Sequence, residues 1–158
     1  MSYRICVVCL GNICRSPMAE VVLRKTLADH GLGDVVSVDS AGTGGWHQGS
    51  PMDERAAAML ADNGYDGSSH SARQFLAGWF GQVDLVLAMD AENLRALRRL
   101  APAGSDVRLF RSFDPAAPPG AEVPDPYYGG REGFADVLEM VRAASEGLAE
   151  HLSRTLPR

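Results

Sequence analysis

The sequence predicts an α/β fold in which a four-stranded parallel sheet carries helices on both faces. Short apolar runs rich in valine, isoleucine and leucine alternate along the chain with longer segments of helical periodicity. This alternation is typical of parallel strands joined by crossover helices. The first and third apolar runs are nearly continuous, as expected for strands buried on both faces. With 158 residues and no linker or internal repeat, the chain has the length of one domain, residues 1–158.

The first strand and helix are the most clearly delimited. The run "RICVVCL", Arg4–Leu10, is buried in character and is followed by glycine and asparagine. We expect a helix to begin at Ser16, a favoured capping residue, with Pro17 placed where a missing N–H does no harm. We expect this helix to end at Gly31.

The middle of the chain repeats this pattern. A glycine-rich turn follows the second strand, and the next helix is expected to open at Ser50-Pro51 and to stop at Asn63-Gly64. The remaining strands are expected at about 35–39, 83–90 and 107–113, and a further helix at about 91–102.

A long irregular loop and a final helix complete the chain. Residues 114–130 contain five of the nine prolines, and a loop of this length is more often functional than a simple connection. The final helix is expected over 131–156. Its apolar side consists of Phe134, Val137, Leu138, Val141 and Leu148.

Composition excludes several classes of function. A net charge of −5 and a pI near 5.3 argue against a general nucleic-acid binder, which would present a basic face. No run approaches the roughly 20 apolar residues that span a bilayer, and the N-terminus does not resemble a signal peptide. All three cysteines fall within the first 14 residues, and an odd number is a poor disulfide framework. We therefore expect a cytoplasmic protein without membrane contact, although export by a route without a signal peptide stays open.

The stretch "CLGNICRS" carries the strongest chemical signal. Cys9 and Arg15 are separated by five residues, in a glycine-containing loop between a strand and a helix start. Backbone N–H groups converge on an anion in that geometry, and they favour a thiolate as well. Arginine offers a planar fork that grips two phosphate oxygens. Gly11 lets the backbone approach closely, and asparagine tolerates unusual backbone conformations at position 12.

Two other interpretations of the cysteines compete. Cys6 lies well inside the first strand, where cysteine usually acts as a small buried hydrophobe. Cys6, Cys9 and Cys14 with a histidine would supply four zinc ligands. However, residues three apart in a strand point to opposite faces, and the four histidines are dispersed singly along the sequence. We therefore expect no metal.

Four ordered stretches resemble the low-molecular-weight protein tyrosine phosphatases. These are "VCLGNICRSPMAE", "DSAGTGGWHQGSPMD", "HSARQF" with "LAMDAENL", and "DPYYGG". Together they cover essentially the whole chain. The resemblance implies phosphotyrosine hydrolysis in two steps, without metal or cofactor, on phosphotyrosine-containing proteins as partners.

The resemblance also implies the residues of the site. Cys9 corresponds to the nucleophile and Arg15 to the phosphate clamp. Asp125 corresponds to the general acid and base. The residues alone do not separate Asp125 from Asp114, which also precedes a proline in the same loop; only the family pattern does.

Further positions follow from the same resemblance. The family's loop-supporting network corresponds to Asn12, Ser40 and His70. The substrate-binding positions correspond to Leu10, Gly11, Asn12, Ile13, Cys14, Ser16, Trp46, Tyr127 and Tyr128. A reversible Cys9–Cys14 disulfide under peroxide is a hypothesis, and the alternative is that Cys14 only fills space.

Relatives with other activities remain as alternatives. Arsenate reductases of this fold pass oxidation to further cysteines, and this chain has none after Cys14. Arginine phosphatases tend to carry threonine where this chain has Ile13. A phosphate-binding module without catalysis is disfavoured because Cys9, Arg15 and Asp125 are all present. We expect a monomer, with weak dimerisation left open.

Overall fold

The structure, a computed structural model, describes residues 2–127 and 129–156. Four parallel strands form a sheet in the order β2-β1-β3-β4. The strands are β1 (Tyr3–Cys9), β2 (Val36–Gly42), β3 (Leu85–Ala88) and β4 (Val107–Leu109). The strand order changes direction at β1, because the chain passes first to β2 on one side and later to β3 on the other. Ligands of such sheets bind at this switch point, beyond the carboxyl end of the strand.

Helices cover both faces of the sheet, so the predicted fold class is confirmed. They are α1 (Arg15–Asp29), α2 (Glu54–Asp62), α3 (Ala91–Leu100) and α4 (Arg131–Thr155), with short 3-10 helices at 77–81 and 110–113. The expected apolar side of α4 is buried along its length.

The core is divided by the sheet into two clusters. Alternate residues of β1 face opposite sides, so Ile5, Val7 and Cys9 pack with α1, α2 and α4. Cys6 and Val8 pack on the other face, with α3. The interpretation of Cys6 as a buried hydrophobe is confirmed, and burial raises the pKa of its thiol to about 12.

Two predicted helix starts are wrong. α1 begins at Arg15, and Ser16 does not cap it because its hydroxyl is engaged inside the loop that precedes the helix. α2 begins at Glu54 rather than at Ser50-Pro51. Asp53 caps it, since its carboxylate accepts the N–H groups of Arg55 and Ala56.

The last strand is shorter than predicted. Only Val107–Leu109 pairs with β3, and the chain then turns into the 3-10 helix at 110–113. Within the described residues, no helix has both the length and the apolar character needed to cross a membrane.

Candidate active site

The loop between β1 and α1, residues 10–14, has an uneven hydrogen-bond pattern. The carbonyl groups of Leu10 and Ile13 accept N–H groups of residues 44 and 53, at 2.9 and 2.8 Å. The carbonyl of Cys14 accepts the N–H of Met18 within the start of α1. In the described part of the chain, no N–H group of residues 10–14 has an acceptor. Unpaired backbone donors are costly unless a ligand or water receives them, so this loop is suited to bind an anion.

Asn12 holds the loop in shape. Its φ is 58°, the left-handed region that asparagine tolerates. The side-chain amide donates to Ser16 Oγ at 2.9 Å and to Ser40 Oγ at 3.0 Å, and its oxygen accepts the N–H of Arg73 at 2.9 Å. His70 Nε2 donates to the carbonyl of Asn12 at 2.7 Å. The loop is therefore fixed by three separate segments of the chain.

Ser40 links this network to α1. Its hydroxyl donates to Glu20 Oε1 at 2.6 Å, which leaves the oxygen free to accept from Asn12. Glu20 is also ion-paired with Arg24 at 2.8 Å. Glu20 is the last residue of the stretch "VCLGNICRSPMAE", in which nothing marks it as part of this network.

Gly42, the last residue of β2, lies against the same loop. A Cβ at this position would be 2.7 Å from the Leu10 carbonyl oxygen and 3.1 Å from the Asn12 nitrogen. Both neighbours are backbone atoms and cannot move aside independently. Only glycine allows this approach.

Arg15 is buried beneath the loop, with 3% of its side chain exposed. Its Nη1 donates to Asp90 Oδ2 at 2.6 Å and to the Val123 carbonyl at 3.0 Å, and Nη2 lies 3.7 Å from Asp125 Oδ2. Burial disfavours the charged guanidinium, but Cys9, Asp90 and Asp125 outweigh it and raise the pKa of Arg15 above its usual value. Arg15 thus stays a cation with a fixed orientation.

Cys9, at the end of β1, and Cys14, at the end of the loop, both pack in the core cluster beneath α1. Cys9 Sγ lies 3.0 Å from Ser16 Oγ, within hydrogen-bond distance. Cys14 is buried as well, and burial, with Asp53 next in importance, raises the pKa of its thiol to about 12. Cys6 is on the opposite face of the sheet, so the three thiols do not converge on one point.

A cleft of about 230 Å³ opens over Cys9 and Arg15. Ile13 and Asp125 line it, with Leu10 at the rim, 45% exposed. Trp46 and Tyr127 form aromatic walls. Tyr128, also expected here, lies outside the described residues.

The loop that carries Asp125 is held from two sides. The carboxylate of Asp125 accepts the N–H of Tyr127 at 3.0 Å through Oδ1, and its side chain is 42% exposed. The guanidinium of Arg55 lies over the rings of Tyr127 and Phe134, at 5.2 and 4.8 Å. Asp114 does not line the cleft; it accepts the N–H of Ala116 in a local turn.

Besides Glu20, sequence reasoning missed three residues of this site. Asp90 follows a buried strand at the same sheet edge as the loop, which is a detectable but common signal. His47 also lines the cleft, and the guanidinium of Arg55, from α2, lies over the ring of Tyr127 in the cleft wall. His47 lies within the stretch "DSAGTGGWHQGSPMD", but nothing in that stretch assigned it to the cleft, and Arg55 lies outside all four stretches.

A larger cavity, of about 850 Å³, lies behind the Asn12 network. It is bordered by α1 and residues 66–73. Its lysine and arginine side chains are already paired: Arg24 with Glu20, Lys25 with Asp29, and Arg73 with Asp39. Because it contains no thiol, we do not regard it as the centre of chemistry.

These features define a class: α/β proteins in which an anion-binding loop after the first strand places a cysteine beside an arginine. Residues 4–158 match the sequence profile of a family described as low molecular weight phosphotyrosine protein phosphatase. The chain belongs to this family.

Individual relatives agree over nearly the whole length. A low molecular weight protein-tyrosine-phosphatase of Streptomyces coelicolor is 62% identical over 152 residues, covering 94% of this chain and 92% of that protein. Low molecular weight protein-tyrosine phosphatase A of Mycobacterium tuberculosis is 45% identical over 152 residues, covering 96% and 92%. The crystal structure of a protein tyrosine phosphatase from Entamoeba histolytica, with Hepes in the active site, matches with a TM-score of 0.92 at 35% identity, covering 97% and 98%.

Proposed function

We propose that this protein hydrolyses phosphotyrosine side chains of proteins through a cysteinyl-phosphate intermediate. The observation that carries the proposal is the loop of residues 10–14, whose unpaired N–H groups adjoin a cleft containing both Cys9 and Arg15. Such an arrangement binds the oxygens of a phosphoryl group. Family membership supports the same substrate class.

In the first step, Cys9 Sγ attacks phosphorus and the bond to the tyrosyl oxygen breaks. The guanidinium of Arg15 and the loop N–H groups stabilise the equatorial oxygens as charge redistributes. The protonated carboxyl of Asp125 donates its proton to the leaving phenolate. Its exposed position at the wall of the cleft suits it to reach the leaving oxygen.

In the second step, water attacks the phosphorus and the sulfur–phosphorus bond breaks. The carboxylate of Asp125 accepts the proton of the attacking water. Ser16, 3.0 Å from Cys9 Sγ, donates its hydroxyl proton toward the sulfur and stabilises the departing thiolate. Inorganic phosphate then leaves, and the enzyme returns to its initial state.

The walls of the cleft favour an aromatic substrate. Trp46 and Tyr127 flank the entrance of the cleft. Cys9 lies at the buried end of the cleft and is 3% exposed. A phosphotyrosine is long enough to bring phosphorus to the sulfur, whereas a phosphoserine is shorter. Parallel assays on phosphotyrosine and phosphoarginine peptides test this choice, and preference for phosphoarginine would overturn it.

The mechanism is tested by hydrolysis of p-nitrophenyl phosphate in EDTA. We expect activity without added metal, and its loss in Cys9→Ser. The matched control is Cys6→Ser, because Cys6 is buried on the other face of the sheet. A requirement for metal, or activity that survives in Cys9→Ser, contradicts the proposal.

We also propose that the protein acts as a monomer in the cytoplasm, without nucleic acid. An odd number of cysteines, all within the first 14 residues, is a poor disulfide framework and suits that compartment, and the net charge of −5 disfavours nucleic acid. Sedimentation across a concentration series measures the oligomeric state.

A further inference from the structure

A second groove adjoins the cleft at Leu10. It has a volume of about 330 Å³ and runs between Thr43 and one face of α3. Leu10 lines both the cleft and this groove, and its side chain is 45% exposed between them. A peptide with its phosphotyrosine in the cleft therefore has an open path along this surface. None of the steps proposed above uses the groove.

The groove carries a local positive charge on an acidic protein. Arg95 and Arg99, one helical turn apart on α3, line it together. In the part of the chain that the structure describes, neither guanidinium has an ion pair or a hydrogen bond. Exposed arginines are often simply solvated. Here, however, both border a concave surface that continues into the proposed phosphate site.

The groove is also lined by the buried side-chain amide of Asn93. Asn93 is 3% exposed. Its side-chain Oδ1 has no hydrogen-bond partner among the described residues. A buried amide without a partner costs free energy, and a rotation of the amide would present it to the polar backbone of a bound peptide.

We propose that this groove is a subsite for an acidic residue that flanks the phosphotyrosine of the substrate. Its carboxylate pairs with Arg95 and Arg99, and the intervening peptide passes over Leu10. Glu92 lies at the same groove and repels additional negative charge, so one acidic residue is favoured over an acidic run. This assignment rests on the proposed phosphotyrosine hydrolysis and narrows its substrates.

The test compares kcat/KM on matched phosphotyrosine peptides. One series places a single glutamate at each position flanking phosphotyrosine, and the reference peptide has glutamine there. The variants are Arg95→Gln, Arg99→Gln and their combination. The matched control is Arg98→Gln on the same helix, since Arg98 lies outside the groove and donates to the Val107 carbonyl. Hydrolysis of p-nitrophenyl phosphate, which has no flanking residues, monitors folding and chemistry.

We expect the wild type to prefer glutamate at one position by about three- to tenfold, the range for one or two exposed ion pairs. The preference disappears in the double variant, persists in Arg98→Gln and weakens in high salt. Equal kcat/KM for all peptides, or a preference that survives in the double variant, overturns the subsite. Failure to hydrolyse any phosphotyrosine peptide would instead overturn the proposed function.

Discussion

The carboxylate of Asp90 connects α3 to Arg15. Its Oδ2 lies 2.6 Å from Nη1 of Arg15, while Oδ1 accepts the N–H of Asn93 at 2.8 Å and caps the helix. One side chain therefore fixes both the start of α3 and the orientation of the buried cation. Since the cation must follow the phosphoryl oxygens closely, its orientation matters for the rate.

Substituting Asp90 separates these two roles. An asparagine side chain in its place would still cap the helix through its oxygen, but it would not hold Arg15 by charge. We expect Asp90→Asn to lower kcat/KM by about 10- to 100-fold with little change in the free energy of unfolding. Asp90→Ala is expected to lower both kcat/KM and the free energy of unfolding. Steady-state kinetics measure the first quantity and urea denaturation the second. Wild-type kcat/KM in Asp90→Asn would contradict the role of Asp90 in orienting Arg15.

The proton donor is tested by a pair of aspartates in one loop. Asp125→Asn is expected to reduce kcat by about 10²- to 10⁴-fold, with a larger effect on kcat/KM for substrates with poor leaving groups. Asp114→Asn serves as the control, because the carboxylate of Asp114 accepts the N–H of Ala116 in a local turn and, among the described residues, does not line the cleft. Equal effects of the two substitutions, or a loss of only a few-fold at Asp125, would mean that another group supplies the proton.

The tight approach of β2 to the loop predicts that Gly42→Ala is harmful. The added Cβ would meet the Leu10 carbonyl at 2.7 Å, so the loop must shift. We expect a loss of about 1–3 kcal/mol in unfolding free energy and at least about tenfold in kcat/KM. Gly78→Ala is a suitable control because nothing lies within 4 Å of its Cβ position. Similar behaviour of the two variants would disprove the steric argument.

The raised pKa of Cys14 predicts the pH dependence of the hypothetical Cys9–Cys14 disulfide. After peroxide converts Cys9 to the sulfenic acid, the Cys14 thiolate attacks that sulfur and hydroxide leaves. With a pKa of about 12, Cys14 is protonated at neutral pH, and its thiolate fraction grows about tenfold per pH unit below that value.

We therefore expect disulfide formation to accelerate about tenfold per unit between pH 7 and 9. Intact-mass measurements on quenched samples follow the loss of two hydrogens. Cys6→Ser should behave as wild type and Cys14→Ser should form no disulfide. Accumulation of sulfinic acid on Cys9 without loss of hydrogens would leave Cys14 as a space-filling residue.

Much of the fold could be predicted from the sequence because its signals are local. The apolar run predicted as a strand at 83–90 contains β3, Leu85–Ala88, and the periodic apolar residues of α4 fit a helix and no other element. Helix starts are harder to predict. Ser50-Pro51 is a common pattern at helix starts, but the carboxylate of Asp53 accepts two N–H groups, and α2 therefore begins at Glu54. Ser16 has the residue type of a cap, yet its hydroxyl is satisfied by groups inside the loop.

The residues of the site likewise differ in how well the sequence predicts them. Cys9 and Arg15 flank one short loop, and their spacing, together with the position of that loop between a strand and a helix start, indicates shared chemistry. Asp90 and Asp125 reach Arg15 from positions 75 and 110 residues later in the sequence, and no local pattern links either to the loop. The resemblance to the family assigned a role to Asp125, whereas Asp90 lies in the stretch "LAMDAENL" and received none.

The central claim is that Cys9 carries the phosphoryl group, and trapping of that intermediate tests it most directly. Asp125→Ala slows breakdown, so rapid acid quench during turnover of p-nitrophenyl phosphate should capture phosphoenzyme. We predict that peptide mapping finds one phosphate on Cys9, and none on the Cys9→Ser, Asp125→Ala double variant. Phosphate on another residue, or no phosphoenzyme during active turnover, would contradict the mechanism.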